Sequence, residues 1–134
     1  RAMSATPLLA IEDLRVEFGA PDAPTPAIDG LSLHIDRGET LVLVGESGSG
    51  KSLTALAMTR LLPAAARIAR GQVRLDGEDL LALPAARMTS IRGRRIGFVF
   101  QEPQVALNPV MRIGDQIAEV LQRHRGLRGA ALRT

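Results

Sequence analysis

The sequence predicts an α/β fold, and three observations carry that prediction. Two stretches near the start alternate apolar and polar residues. A short continuous apolar run comes next, at Thr40-Leu41-Val42-Leu43-Val44. That run leads through a glycine-rich loop into residues at helical spacing. A continuous run of this length suits a strand buried on both faces, as in a parallel sheet, whereas alternation suits a strand buried on one. The chain has 134 residues, 46% hydrophobic and 23% charged, a globular composition and the size of one domain or part of one.

Leu8 to Phe18 sets Leu14, Val16 and Phe18 against Asp13, Arg15 and Glu17, which reads as a half-buried strand. Gly19 to Pro26 is rich in breakers and reads as a loop. Ala27 to Ile35 alternates again through Leu31, Leu33 and Ile35, and Asp36-Arg37-Gly38-Glu39 reads as a tight turn, so a hairpin is expected here. From Lys51 to Leu62, Leu53, Leu56, Ala57 and Leu61 fall at helical spacing, with Pro63 as a stop. Gly71 to Gly77 reads as a short strand, Glu78 to Ile91 as mostly helical with a break at Pro84, and Arg95 to Phe100 as a second buried strand. A loop to Pro109 precedes an amphipathic helix from Ile113 to His124, with Ile117, Val120 and Leu121 on one face. Arg123 and His124 sit at its end, where the helix dipole favours positive charge. Residues 125–134 read as the possible start of another helix.

Composition narrows the function classes. No apolar run reaches the 18 residues that a membrane span needs. There is no secretory pattern at the start, and residues 1–7, with Arg1-Ala2 ahead of Met3, read as a tail or cloning scar. The absence of cysteine excludes disulfides and thiolate metal sites within this stretch. Net charge is +3 with acids interspersed among the bases, and Phe18, Phe98 and Phe100 are the only aromatics, so a nucleic-acid stacking platform is not expected.

Lys51 is the only lysine, and it stands in Gly45-Glu46-Ser47-Gly48-Ser49-Gly50-Lys51-Ser52, which has the form of a Walker A phosphate-binding loop. Glycines at 45, 48 and 50 let the backbone curl so that successive N–H groups face inward, an anion nest at a helix N-terminus. A side chain at Gly50 is expected to crowd the phosphates. Lys51 is expected to reach the β- and γ-phosphates as a compact point charge, and the Ser52 hydroxyl to ligate Mg²⁺. The loop points to ATP or a close relative. Hydrolysis needs in addition a carboxylate on the metal, and no apolar run after Phe100 ends in aspartate.

The loop, with Arg95-Ile96-Gly97-Phe98-Val99-Phe100-Gln101-Glu102-Pro103 after a spacer, resembles the nucleotide-binding subunit of ATP-binding cassette (ABC) transporters. The stretch Gln101 to Pro109, then Ile113-Gly114-Asp115-Gln116-Ile117, is similar to the dipeptide, oligopeptide and nickel importer branch, although Ala106 is more often serine there. The resemblance covers about Leu8 to His124. It implies that Gln101 helps coordinate Mg²⁺ and the attacking water and couples nucleotide state to the membrane partner. Leu53 stands where many members have a threonine on the α-phosphate, which leaves that contact to the backbone N–H. The family stacks adenine on an aromatic near the first strand. Phe18 is the only candidate here, and it is equally placed to close the strand as a core residue.

The fold the resemblance implies is an incomplete P-loop NTPase core with an N-terminal antiparallel β subdomain and the start of the helical arm. Residues 8–134 would be the N-terminal part of one nucleotide-binding domain, stopping before the signature motif and the Walker B strand. His34 and His124 are in the wrong places to be the switch histidine. The function implied is an importer ATPase that couples ATP binding and hydrolysis to uptake of peptides or related solutes. It would pair with a second ABC ATPase domain and transmembrane permease subunits, and indirectly with a solute-binding protein. It would lie on the cytoplasmic face of the inner membrane, with this piece alone inactive. The alternatives are a soluble, non-transport ABC ATPase acting on nucleic acid or ribosomes, and a non-catalytic nucleotide-binding module. An uncovered sheet edge and face in such a piece would invite self-association.

Overall fold

The computed structural model describes residues 6–102 and 106–129. The chain forms two compact units, Arg1–Pro84 and Ala85–Thr134. The first holds a four-stranded antiparallel sheet of β1 (Leu9–Phe18), β2 (Thr25–Ile35), β3 (Ala66–Leu75) and β4 (Glu78–Asp79), in the order β2-β1-β3-β4, together with helix α1 (Lys51–Met58). The second holds α2 (Ala85–Ile91) and α3 (Ile113–Arg125).

Strand β1 is the spine of the sheet, paired with β2 from Leu9↔Ile35 to Phe18↔Thr25 and with β3 from Leu9↔Leu75 to Phe18↔Ala66. The alternation of buried and open positions along it is first interrupted at Asp13. Ile11 and Leu14 are both buried although three residues apart, because Asp13 takes a positive φ of 46° and the β3 register slips between Glu12 and Arg15. Two residues of β1 therefore face one of β3, which is a bulge. The residue opposite is Gly71, with φ of 106°. A β-carbon there would lie 2.6 Å from the Leu14 Cα and 2.8 Å from the Asp13 carbonyl oxygen, so only glycine lets the two backbones approach this closely.

Strands β1 and β2 form the expected hairpin, although β2 begins at Thr25, inside the stretch read as loop. The Asp36–Glu39 turn also forms. The Glu39 N–H donates to the Asp36 carbonyl at 3.1 Å, and the Asp36 N–H donates to the Glu39 carboxylate at 2.6 Å. The strand expected from Gly71 starts five residues earlier, at Ala66, because residues 66–70 also pair with β1. The Glu78–Ile91 stretch is not mainly helical. Asp76 and Gly77, with φ of 51° and 80°, make a two-residue turn that sends Glu78 and Asp79 back along β3, and the helix begins only after Pro84. Both turn residues have positive φ, the conformation for which Asp-Gly is the favoured pair in a tight hairpin.

Two sequence expectations fail for a shared reason. Neither Thr40–Val44 nor Arg95–Phe100 joins a ladder among the described residues, apart from an isolated bridge between Arg92 and Ile96. Instead of being buried on both faces, Val42, Val44 and Val99 are 71%, 87% and 90% exposed. A continuous apolar run specifies a buried strand only where partner strands flank it, and none does so among the described residues.

Helix α1 stops at Met58, four residues short of the expected end. Arg60 turns left-handed, with φ of 54°. The Arg60 N–H donates to the Ala57 carbonyl at 3.0 Å and the Leu61 N–H to the Leu56 carbonyl at 2.8 Å, a Schellman closure usually built on glycine. The Arg60 guanidinium donates to the carbonyls of Leu80 and Leu83, which holds this conformation.

Helix α3 forms as expected and runs one residue further, to Arg125, closed by Gly126 at φ of 67°. Asp115 lies in its first turn and Arg123, His124 and Arg125 in its last, both favoured by the dipole. Its apolar face, with Ile113, Ile117 and Val120, is exposed. Pro103, Gln104, Val105 and the residues after Gly129 lie outside the described residues, as do the first five of the tail.

Candidate functional site: the 45–52 loop

The loop between residues 44 and 51 is shaped by three glycines acting in different ways. Gly48 and Gly50 are left-handed, with φ of 82° and 88°. Gly45 has no such requirement, but a β-carbon on it would stand 2.7 Å from Ser49 Oγ. The inner surface of the curl is thus kept bare by Gly45 and bent by the other two. A side chain at Gly50 would also meet strand β2 of the chain itself. Its β-carbon would first meet the Ala27 carbonyl oxygen and Ile28 Cγ1, both at 3.2 Å, so Gly50 is glycine because the loop is pressed against β2.

Lys51 closes the curl. Its ammonium donates to the carbonyls of Gly45 and Glu46, each at 2.7 Å, and to Ser49 Oγ at 3.0 Å. The Ser49 N–H donates to the Glu46 carbonyl at 3.2 Å. Ser47 and Ser52 are exposed, and Leu53 is half-buried. The Gly50 carbonyl accepts both the Thr54 N–H at 2.8 Å and the Thr54 hydroxyl at 2.9 Å. Thr54, missed in the sequence, therefore anchors the loop to the first turn of α1. The first amides of a helix have no carbonyl one turn back to bond, so those of α1 lie at the rim of the curl. Left-handed glycines and a lysine that bridges the Gly45 and Glu46 carbonyls close the curl at the N-terminus of α1.

The other predicted residues lie elsewhere. Phe18 ends β1, opposite Thr25 and Ala66, and is half-buried. The β1–β2 register runs from Val16↔Ile28 to Phe18↔Thr25, so Phe18 sits at the same end of the hairpin as the Gly50 contact on Ala27 and Ile28. Beside it, Glu17 is 5% exposed and its carboxylate accepts from Arg15 Nε at 2.7 Å and Arg67 Nη2 at 2.6 Å. The Glu17 and Asp29 carboxylates raise the affinity of Arg15 for its proton. Gln101 belongs to the second unit and is exposed. There the Gln116 side chain stitches the loop before α3. Its Nε2 donates to the carbonyls of Asn108 and Met111, and its Oε1 accepts the Asn108 N–H.

A cleft of about 560 Å³ adjoins the loop between Ser49, Lys51 and β2, reaching Leu43 and Val44. A larger one, about 800 Å³, lies by Ala10, His34 and Arg37 and holds none of the predicted site residues. No group of three or more metal-ligating side chains occurs among the described residues. No helix among them is long and apolar enough to cross a membrane.

Residues 28–131 match the family model described as ABC transporter. The oligopeptide transport ATP-binding protein OppD of Bacillus subtilis is 44% identical over 120 residues, covering 89% of this chain and 34% of that protein. OppD of Escherichia coli is 44% identical over 123 residues, 92% and 36% of the two chains. Among solved structures, a dimeric ATP-binding cassette in a post-hydrolysis state bound to ADP and Pi superposes with a TM-score of 0.74 at 27% identity. The match covers 91% of this chain and 49% of that one. The chain thus spans about a third of the length of these curated relatives.

Proposed function

This chain belongs to the ABC transporter family, and from that premise we propose that residues 45–52 bind Mg-ATP in an importer ATPase for peptides or related small solutes. The observation that carries the reading is the Lys51 ammonium at 2.7 Å from two loop carbonyls inside a glycine-lined curl. Family membership implies ATP as the nucleotide, and the names of the OppD relatives support oligopeptide uptake as the work of the parent protein.

In this reading Lys51 exchanges its loop carbonyls for the β- and γ-phosphate oxygens, and the amides of the curl hold the phosphate chain. The Ser52 hydroxyl and, as the family resemblance implies, the Gln101 side chain would hold Mg²⁺, which would supply positive charge to the phosphate chain. Charge developing on the transferred phosphoryl group is stabilised by Lys51. Leu53 offers only its N–H to the α-phosphate. Phe18, at the loop end of the hairpin, is the side chain available to stack on the base. Residues 8–134 form the front portion of a nucleotide-binding domain that pairs with a second such domain. It sits peripherally on transmembrane permease subunits at the cytoplasmic face, with a solute-binding protein acting through them.

The test is calorimetric titration of Mg-ATP into the chain beside Lys51→Ala, with protein quantified by peptide absorbance because it has neither Trp nor Tyr. Saturable binding that weakens at least tenfold in the variant is expected. Equal affinity in the two proteins overturns the assignment of Lys51.

A further inference from the structure

Charge is divided unevenly between the two units. Residues 85–134 carry nine arginines against three acids, formally +6, while residues 1–84 carry eight bases against eleven acids, formally −3. The excess in the second unit is focused by its fold. Gly93, left-handed at φ of 79° just after α2, lies against the His124 ring, and a β-carbon on it would be 2.7 Å from His124 Nε2. This approach brings the Arg92–Arg95 turn beside the last turn of α3, so Arg94 and Arg123, 29 positions apart in sequence, share one edge.

Between them is a cleft of about 360 Å³ lined by Ala86, Thr89, Ser90, Arg94, Arg123 and His124, with no carboxylate on its walls. The two hydroxyls direct their protons into α2, Thr89 to the Ala85 carbonyl at 3.0 Å and Ser90 to the Arg87 carbonyl at 2.7 Å. The strong outward donors are therefore the guanidiniums. A neighbouring cleft adds Arg128 to Arg123, with Glu119 as the one acid. Arg94, Arg123, Arg125 and Arg128 are all exposed.

We propose that this edge is a docking surface for an anionic phospholipid leaflet, Arg94 and Arg123 straddling a headgroup phosphate while Arg128 adds to the field. Each basic side chain near such a surface contributes about 1 kcal/mol, and guanidinium geometry suits phosphate. Neither Phe98 nor Phe100 lines either cleft, so a single-stranded nucleic acid would find no stacking partner beside the arginines. Such docking agrees with a membrane-peripheral role but uses a surface separate from the nucleotide loop.

The experiment is co-sedimentation of the chain with phosphatidylcholine vesicles containing or lacking a quarter of phosphatidylglycerol, at about 0.1 M and 0.5 M salt. A short duplex DNA serves as competitor. Binding to the anionic vesicles alone is expected, lost at high salt and weakened roughly thirtyfold by Arg94→Gln with Arg123→Gln. Arg94→Lys with Arg123→Lys should retain most of it, and circular dichroism checks that both pairs keep their helices. Lys51→Ala should bind vesicles like the parent chain. Equal binding to neutral vesicles, an unaffected glutamine pair, or displacement by DNA at lower concentration than by anionic vesicles overturns the proposal. Because nucleotide is absent, failure here leaves Mg-ATP binding intact, and failure of nucleotide binding leaves the vesicle result standing.

Discussion

Gly71 and Leu14 come together so closely that a β-carbon on residue 71 would stand 2.6 Å from the Leu14 Cα. The contact lies at the paired irregularity where β1 bulges at Asp13 and β3 answers with a φ of 106°. Gly71→Ala meets a steric overlap with backbone and a disfavoured φ together, so a loss of about 3 kcal/mol is expected. Urea denaturation checks it, and a loss below about 1 kcal/mol would show that the bulge relaxes freely.

The loop glycines should separate by mechanism. At Gly48 nothing lies within 4 Å of an added β-carbon, so Gly48→Ala meets only the cost of a positive φ, about 1 kcal/mol. At Gly50 the same substitution also presses on Ala27 and Ile28 at 3.2 Å. Gly50→Ala is therefore expected to lose about 2 kcal/mol or more and to lift the loop from β2, with weaker nucleotide binding. Thermal unfolding of the two variants, with equal shifts, would contradict the assigned contact.

Lys51 is only half-buried and bonds carbonyls that water can reach. Lys51→Ala should accordingly change stability by less than about 1 kcal/mol while reducing Mg-ATP affinity at least tenfold. The comparison of denaturation with calorimetry separates a binding role from a folding one.

Glu17 holds two arginines from a position that water scarcely reaches, Arg15 on its own strand and Arg67 on β3. Glu17→Gln keeps the shape and removes the charge, and about 1–2 kcal/mol of stability should go with it. Both arginines retain solvent access, which limits the loss. Denaturant midpoints measure the effect, and Arg67→Gln should lose less because its own side chain is 42% exposed.

The curl at residues 45–52 was legible because its sequence signal is local. Glycine spacing, one lysine and the helix behind it are contiguous, and the structure assembles them with Lys51 at the centre. The hairpin of β1 and β2 and helix α3 were legible from periodicity in the same way. The Asp76-Gly77 turn carried a readable signal in its residue pair, which outweighs the helical look of residues 78–84. Gly71 carried none, because its partner is fifty-seven residues away along the chain. The early end of α1 was hidden for a similar reason, since Arg60 tolerates its left-handed backbone with remote carbonyls at Leu80 and Leu83 to hold it. Thr40–Val44 and Arg95–Phe100 misled because strand formation depends on neighbours, not on the run itself.

The unpaired segment 41–44 also bears on events at the ribosome. Chains emerge from the N-terminus and fold in units as they do. The antiparallel sheet can close once Asp79 is out, but Leu41–Val44 finds no ladder among the described residues. Val42 and Val44 are open to solvent here, in an apolar stretch of the kind holdase chaperones bind. Residues 45–52 follow it directly in the chain.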